Sequence, residues 1–246
     1  MLELRQAVAC TSSSTLMLNW VKKTIAACVW RYIDRQMLNF FECGDYETVL
    51  RHATGICQKR EDSLIGQYWR ALALLWLERY QESLDVANRV EDRAAQGLIV
   101  LNEPWAVAFE KIKCGALRGL KQYDALHDFS SRCLERHAGV VPIVGFQLLA
   151  TMHLGTLSAS TSCLHFLDCS VRRFDEAWLF VVLGSAHRYL GNEERASEIT
   201  RLALAKYPDD DPVQEMAKKA KCVASASARC AARSRDVQRC RATTMQ

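Results

Sequence analysis

The most regular pattern of apolar, small and turn-forming residues runs from Phe180 to Pro208. Apolar positions with helical spacing continue up to Gly191, resume after it and end before Pro208. Glycine readily adopts the left-handed conformation that ends a helix, and proline cannot continue one. The small residues Gly184 and Ala196 would let two helix backbones approach each other closely. The segment therefore predicts two antiparallel helices joined by a short turn.

Weaker copies of this pattern precede it at a regular interval. Tyr46, Tyr80 and Tyr123 each follow a short polar turn; the first two are 34 residues apart, and the third follows after 43. The excess of nine residues falls in the connection near Ala94 to Pro104. A repeat of this period is typical of stacked helical hairpins. The spacing predicts five hairpins, at residues 30–63, 64–106, 107–140, 141–176 and 177–210.

Two flanking segments complete the predicted organisation. Residues 1–29 form an N-terminal flank in which Thr15 to Val29 has the pattern of a helix that could cap the first hairpin. The pair Asp211-Pro212 starts a second capping helix, predicted over residues 211–223. Residues 224–246 are rich in Ala, Ser and Arg and poor in large apolar groups, so we expect a disordered tail.

The best repeat carries the residues of a known family. Its pair Leu183-Gly184 and its Gly191, Ala196, Ala203 and Pro208 stand where the small and turn residues of the tetratricopeptide repeat stand. The chain resembles that family over residues 30–210, without pointing to a particular member. The resemblance implies an all-α fold, an α-solenoid of antiparallel hairpins wound into a right-handed superhelix. It also implies that the first helices of successive hairpins line a concave groove that holds a polypeptide.

In this register the predicted groove mixes aromatic, aliphatic and cationic side chains. Its lining would be Tyr68, Leu72, Trp76, Lys111, Arg118, Met152, Trp178, Arg188 and Tyr189, preceded by Leu38 and Phe41 of the first hairpin. Such a surface suits an extended or helical partner with apolar anchors and some acidic character. The alternative is that Trp76 and Trp178 are wholly buried between hairpins.

The resemblance implies a protein that binds other proteins. We expect a scaffold or adaptor, a subunit of a cytosolic multiprotein complex such as a trafficking complex. One alternative is a chaperone for a secreted or assembly-prone client. Another is RNA binding by a related helical repeat, which the aromatic and aliphatic lining disfavours. The sequence contains no Gly-rich phosphate loop, His-Glu-x-x-His pair or Gly-x-Ser-x-Gly elbow, so we expect neither catalysis nor a cofactor.

Charge and hydropathy each change this picture locally. The formal net charge of +4 arises near the C-terminus, where residues 217–246 hold eight Lys or Arg and one acid, Asp236. This segment has no interleaved aromatic residues, and we therefore expect no specific nucleic-acid binding. The stretch 138–167 lacks Asp, Glu, Lys and Arg, but its Pro, Gly, Gln, His and Ser/Thr residues favour two buried helices over a membrane span.

The eleven cysteines do not form a recognisable framework. Their number is odd, no Cys-x-x-Cys pair occurs, and Cys28, Cys57, Cys114 and Cys133 lie on apolar helical stripes. Thiols in such places act as small apolar groups in a reducing compartment, so we expect a cytoplasmic protein. The local groups of Cys163, His165 and Cys169 and of His127, Cys133 and His137 include separations of two or six residues, which do not share a helix face, so we expect no metal site. The sequence leaves the homo-oligomeric state open.

Overall fold

The computed structural model describes residues 31–220, apart from the side chains of residues 158 and 159. Within this range the regular structure is helical and contains no strand. The helices are α1 (31–42), α2 (Tyr46–Lys59), α3 (Leu64–Trp76), α4 (Tyr80–Ala95), α5 (Glu103–Gly119), α6 (Tyr123–Arg136), α7 (Val141–His153), α8 (Thr161–Ser170), α9 (Ala177–Tyr189), α10 (Glu193–Lys206) and α11 (211–220). Short 3-10 turns at Leu157–Ser160 and Val171–Arg173 flank α8. The predicted all-α class is confirmed.

Each of the five predicted hairpins contains two consecutive helices, from α1 and α2 to α9 and α10. One boundary is wrong: α5 begins at Glu103, within the predicted second hairpin. The side chain of Asn102 accepts a hydrogen bond from the backbone N–H of Trp105 at 3.3 Å, which caps the new helix. Pro104 therefore lies in the first turn of α5, where its missing N–H breaks no helical hydrogen bond.

The turns share one backbone feature, a residue with positive φ. A residue with positive φ lies two positions before the first residue of α2, α4, α6 and α10, and Gly155 lies two before the 3-10 turn that leads into α8. The other four are Gly44, Glu78, Lys121 and Gly191. Tyr46, Tyr80 and Tyr123 consequently each begin the second helix of a hairpin. The equivalence that the sequence predicted for these three tyrosines is confirmed.

The contacts between residues divide the chain into two compact units, and the boundary along the chain falls between Ala116 and Leu117, within α5. In the first unit, α3 packs against both α2 and α4. One core joins α1, α2 and α3 around buried Trp69. A second joins α3, α4 and α5 around Leu74 and Phe109. The helices α3 and α4 approach closely at the small residue Ser83, whose hydroxyl donates to the carbonyl of Ala71 at 2.7 Å.

In the second unit, α7 packs against α6, α8 and α9, and α9 packs against α10. Its core surrounds the fully buried Leu148, Phe174 and Leu183. Gly184 lies at the crossing of α9 and α10, because an added Cβ would be 3.6 Å from Ile199 and 4.0 Å from the carbonyl oxygen of Ala196. The predicted close approach at these two small residues is confirmed.

The helix α11 covers the end of this core. The side chain of Asp210 accepts from the backbone N–H of Val213 at 3.0 Å, and Val213 and Met216 are buried in the core of the second unit. Residues 211–220 are thus helical as predicted, and residues 221–223 lie outside the described range. The predicted N-terminal flank 1–29 and the tail 224–246 lie outside it as well. No helix in residues 31–220 combines the length and apolar character needed to cross a bilayer.

Candidate protein-binding surfaces

Tyr68 and Leu72 of α3 serve mainly in packing. Both are half-buried and contact both cores of the first unit. The ring centroid of Tyr68 lies 5.7 Å from that of Trp105 and 6.3 Å from that of Phe109, each in an edge-to-face arrangement. These contacts hold α3 against α5. Lys111 of α5 is also half-buried.

Trp76, the last residue of α3, lies largely in solvent. Its side chain is 55% exposed, so the alternative in which it is wholly buried is wrong. The indole stacks on Tyr46 with ring centroids 5.6 Å apart and meets Phe41 edge-on at 5.7 Å. Leu38, one turn before Phe41 on α1, is also exposed. We call Leu38, Phe41, Tyr46 and Trp76 the first aromatic surface.

The position of Trp76 follows from an anchor two turns earlier. Trp69 is buried, and its Nε1–H donates to the Asp34 carboxylate at 2.7 Å, which fixes α3 against α1. Residues seven apart on a helix lie on the same face. Trp76 therefore points toward α1 like Trp69, but it lies at the helix end, where less structure covers it. This tie to Asp34 carries no distinct signal in the sequence.

In the second unit, Arg118 and Trp178 meet although sixty residues separate them. The Arg118 side chain is exposed, and its guanidinium carbon lies 5.7 Å from the centroid of the Trp178 ring. Trp178 is half-buried, stacks on Phe146 with centroids 4.6 Å apart, and donates its Nε1–H to Glu176. We call Arg118 and Trp178, which the buried Phe146 supports from below, the second aromatic surface.

Arg188 has a structural role in the second unit. One guanidinium nitrogen donates to the Thr200 hydroxyl at 3.0 Å and to the Met216 carbonyl at 3.4 Å. These bonds join α9 to α10 and α11 and leave little of the Arg188 side chain exposed. Met152, another predicted groove residue, is half-buried against the same core.

Tyr189 occupies the last position of α9, as Trp76 does in α3 and His153 in α7. His153 stacks on Tyr123 with ring centroids 3.8 Å apart, and this pair is separated by thirty residues of sequence, as are Tyr46 and Trp76. In the fourth hairpin the equivalent first position of α8 is Thr161, which has no ring. Tyr189 has no ring contact within residues 31–220 and is 59% exposed.

A polar cluster around the buried His187, which the sequence did not reveal, joins α8, α9 and α10. His187 is buried with its Nε2 at 3.5 Å from the Asp168 carboxylate, and Arg195 donates to the same carboxylate at 2.8 Å. Burial lowers the pKa of His187 from its ordinary value; Asp168 raises this pKa less than burial lowers it. His187 is therefore neutral at pH 7.

The thiols follow the prediction where they are described. Cys57, Cys114 and Cys133 are buried, and burial raises the pKa of Cys57, which keeps it protonated and unreactive. Spacings of four residues also occur in these groups, between Cys133 and His137 and between His165 and Cys169, and the second pair approaches to 3.7 Å. Among residues 31–220, no group of three His, Cys, Asp or Glu side chains is placed to hold a metal ion.

Comparison with known proteins adds evidence on the fold. No protein-family model matches the chain, and no curated protein matches it in sequence. A thermophilic tetratricopeptide-repeat protein of Thermus thermophilus superposes with a TM-score of 0.61 at 14% identity, over 78% of this chain and 98% of that one. A tetratricopeptide-repeat protein of Parabacteroides merdae gives a TM-score of 0.60 at 12% identity, over 77% and 70%. The chain therefore has the tetratricopeptide-repeat fold that the residues of its best repeat predicted.

Proposed function

We propose that the protein is an interaction scaffold that binds a segment of a partner polypeptide on the first aromatic surface. The observation that carries this proposal is the exposure of Trp76. A large aromatic side chain held in solvent by two other rings is typical of binding hot spots rather than of a core. The tetratricopeptide-repeat fold supports the same class of function, and the second aromatic surface is a separate candidate for binding in the second unit.

The proposed partner segment carries both apolar and acidic side chains. Leu38, Phe41 and Trp76 form an apolar face. Arg35 is exposed on α1, the helix that also carries Leu38 and Phe41. The second unit, taken by itself, shows the same combination, since Arg118 is exposed and its guanidinium lies over Trp178. An apolar anchor flanked by carboxylates satisfies both features. The buried thiols support a reducing compartment such as the cytoplasm as the site of this interaction.

Affinity purification with matched variants tests the proposal. Trp76→Ala removes the exposed ring, and Tyr32→Ala is the control because Tyr32 is 65% exposed and lies six and nine residues before Leu38 and Phe41, on other faces of α1. We expect a partner recovered with the wild-type chain and with Tyr32→Ala to be depleted about tenfold or more with Trp76→Ala, since hot-spot truncation costs about 2 kcal/mol.

The binary affinity is then measured with the purified partner. Circular dichroism of both variants confirms that the helical content is unchanged. Equal affinities for the Trp76→Ala and Tyr32→Ala chains would refute the first aromatic surface as the binding site. A partner that releases only after its own folding, with no stable complex, would instead favour the chaperone alternative.

A further inference from the structure

A cleft in the first unit lies on another side of α3 from the aromatic residues. It has a volume of about 470 Å³, with Thr54, Cys57 and Gln58 of α2, Arg70 of α3 and Arg89 and Arg93 of α4 in its wall. A smaller cavity of about 390 Å³ shares Arg70 and Arg89 with it. Arg70 is six residues before Trp76, so about 120° of helical rotation separates the directions of their side chains. Binding in this cleft is therefore separate from binding at the first aromatic surface.

The two shared arginines have no carboxylate of residues 31–220 within ion-pair distance, although Arg70 lies near enough to Glu82 for its charge to add to the effect of Arg79, which lowers the pKa of that carboxyl. Neither Arg70 nor Arg89 forms an ion pair with any residue in the range 31–220. Both lie close enough to Cys57 for their charges to lower its pKa, against the larger effect of burial that raises it. Two guanidinium groups thus converge on one region between α2 and α4.

The carboxylates around the cleft are mostly engaged elsewhere. Glu61 lies 3.1 Å from Arg93, Asp62 lies 3.8 Å from Arg60, and both oxygens of Glu82 accept from Arg79 at 2.7 Å. Asp85 accepts from the Gln81 amide at 2.9 Å. In the larger cavity both carboxylates, Glu61 and Asp62, are thus paired with other arginines, which leaves Arg70 and Arg89 in excess there, whereas Glu82 and Asp85 line the smaller cavity with them.

We propose that this cleft binds an anionic group of a partner polypeptide, a phosphorylated or carboxylate side chain held between Arg70 and Arg89. Guanidinium groups donate paired N–H bonds that match phosphate and carboxylate oxygens. Leu64, Val90 and Ile99 in the larger cavity give apolar contact to the residues beside the anion. The volume of the larger cavity falls in the range of small-ligand sites, so it admits a few residues at most.

Titration by nuclear magnetic resonance tests this site in the full-length chain. The Nε–H signals of Arg70 and Arg89 are assigned with Arg70→Lys and Arg89→Lys variants, and Arg201, an exposed arginine of α10, serves as the reference. The probes are an acetylated Glu-phosphoserine-Glu tripeptide amide and inorganic phosphate. A local signal is needed because the basic residues 217–246 also attract anions.

We expect the tripeptide to shift the Arg70 and Arg89 signals at concentrations that leave Arg201 unchanged. The Arg70→Ala/Arg89→Ala chain should bind the tripeptide at least about tenfold more weakly than Arg201→Ala does. Equal shifts at all three arginines, or no shift at any of them, would overturn the site. Saturation by phosphate alone with the same affinity would overturn the polypeptide as the source of the anion. Retained binding of the partner by the double variant would leave the first aromatic surface intact, because the two tests use different residues.

Discussion

Substitution of three helical glycines by alanine tests how closely the helices approach. At Gly145 in α7, an added Cβ would be 2.5 Å from a methyl carbon of Leu179 and 2.9 Å from the Trp178 ring. Carbon atoms pack best at about 3.5 to 4.0 Å, so both side chains must move. Leu179 is buried and Trp178 is stacked on Phe146, which leaves little room for movement.

The magnitude follows from two opposing terms. Overpacking in a filled core costs about 1 to 3 kcal/mol, while replacing glycine by alanine within a helix gains about 0.5 to 1 kcal/mol. Gly145→Ala should therefore lower the free energy of unfolding by about 1 kcal/mol, or the Tm by about 2 to 4 °C. It should also change the tryptophan fluorescence of the folded state, because the Trp178 ring is displaced.

Two other glycines provide matched controls. At Gly55 in α2 nothing lies within 4 Å of an added Cβ, so Gly55→Ala should stabilise by about 0.5 to 1 kcal/mol. At Gly115 the Cβ would be 3.0 Å from a methyl carbon of Leu75, which is half-buried and can turn, so the two terms should nearly cancel. Urea unfolding followed by circular dichroism gives all three values. A gain for Gly145→Ala equal to that for Gly55→Ala would refute the close approach of α7 and α9.

Three further predictions concern the turn at Glu78, the polar cluster around His187 and the stacked pair of Tyr123 and His153. Glu78→Gly should raise the free energy of unfolding in urea by about 0.5 kcal/mol. The left-handed φ of Glu78 costs about 1 to 2 kcal/mol, of which the greater entropy loss of glycine on folding cancels about 0.5 to 1 kcal/mol. A lower free energy of unfolding for Glu78→Gly would contradict the positive φ. Because burial lowers the pKa of His187 in the folded chain, the unfolded chain binds a proton more readily, and the free energy of unfolding of the wild type should fall as the pH drops below 6.5. His187→Gln should make this fall smaller. Parallel pH profiles of the wild type and His187→Gln would contradict this. A double-mutant cycle of Tyr123→Leu and His153→Leu should give a coupling of about 0.5 kcal/mol, and zero coupling would argue against the stack.

The sequence predicted the fold well because its signals are local. The tyrosines at 46, 80 and 123 each follow a turn and begin a helix, and both facts arise within a few residues of the chain. The start of α5 was missed because Pro104 indicated a connection, whereas proline is equally compatible with the first turn of a helix.

The candidate surfaces were predicted less completely, because exposure depends on neighbours distant in sequence. Arg188 has the spacing of a groove residue, yet Met216, twenty-eight residues later, engages its side chain. The pair Arg118 and Trp178 and the cluster around His187 likewise join different hairpins. The cleft forms because the packing of α4 against α3 brings Arg89 near Arg70, and the sequence does not specify how these two helices pack.

Photocrosslinking from position 76 distinguishes a defined binding site at the first aromatic surface from non-specific contact. The chain carries a photoreactive phenylalanine analogue at Trp76, or at Tyr32 as the control, and the crosslinked partner peptide is identified by mass spectrometry. We expect one defined partner segment with apolar and acidic residues, crosslinked from position 76 and not from position 32. Crosslinks from position 32 alone, or the same scattered peptides from both positions, would contradict it.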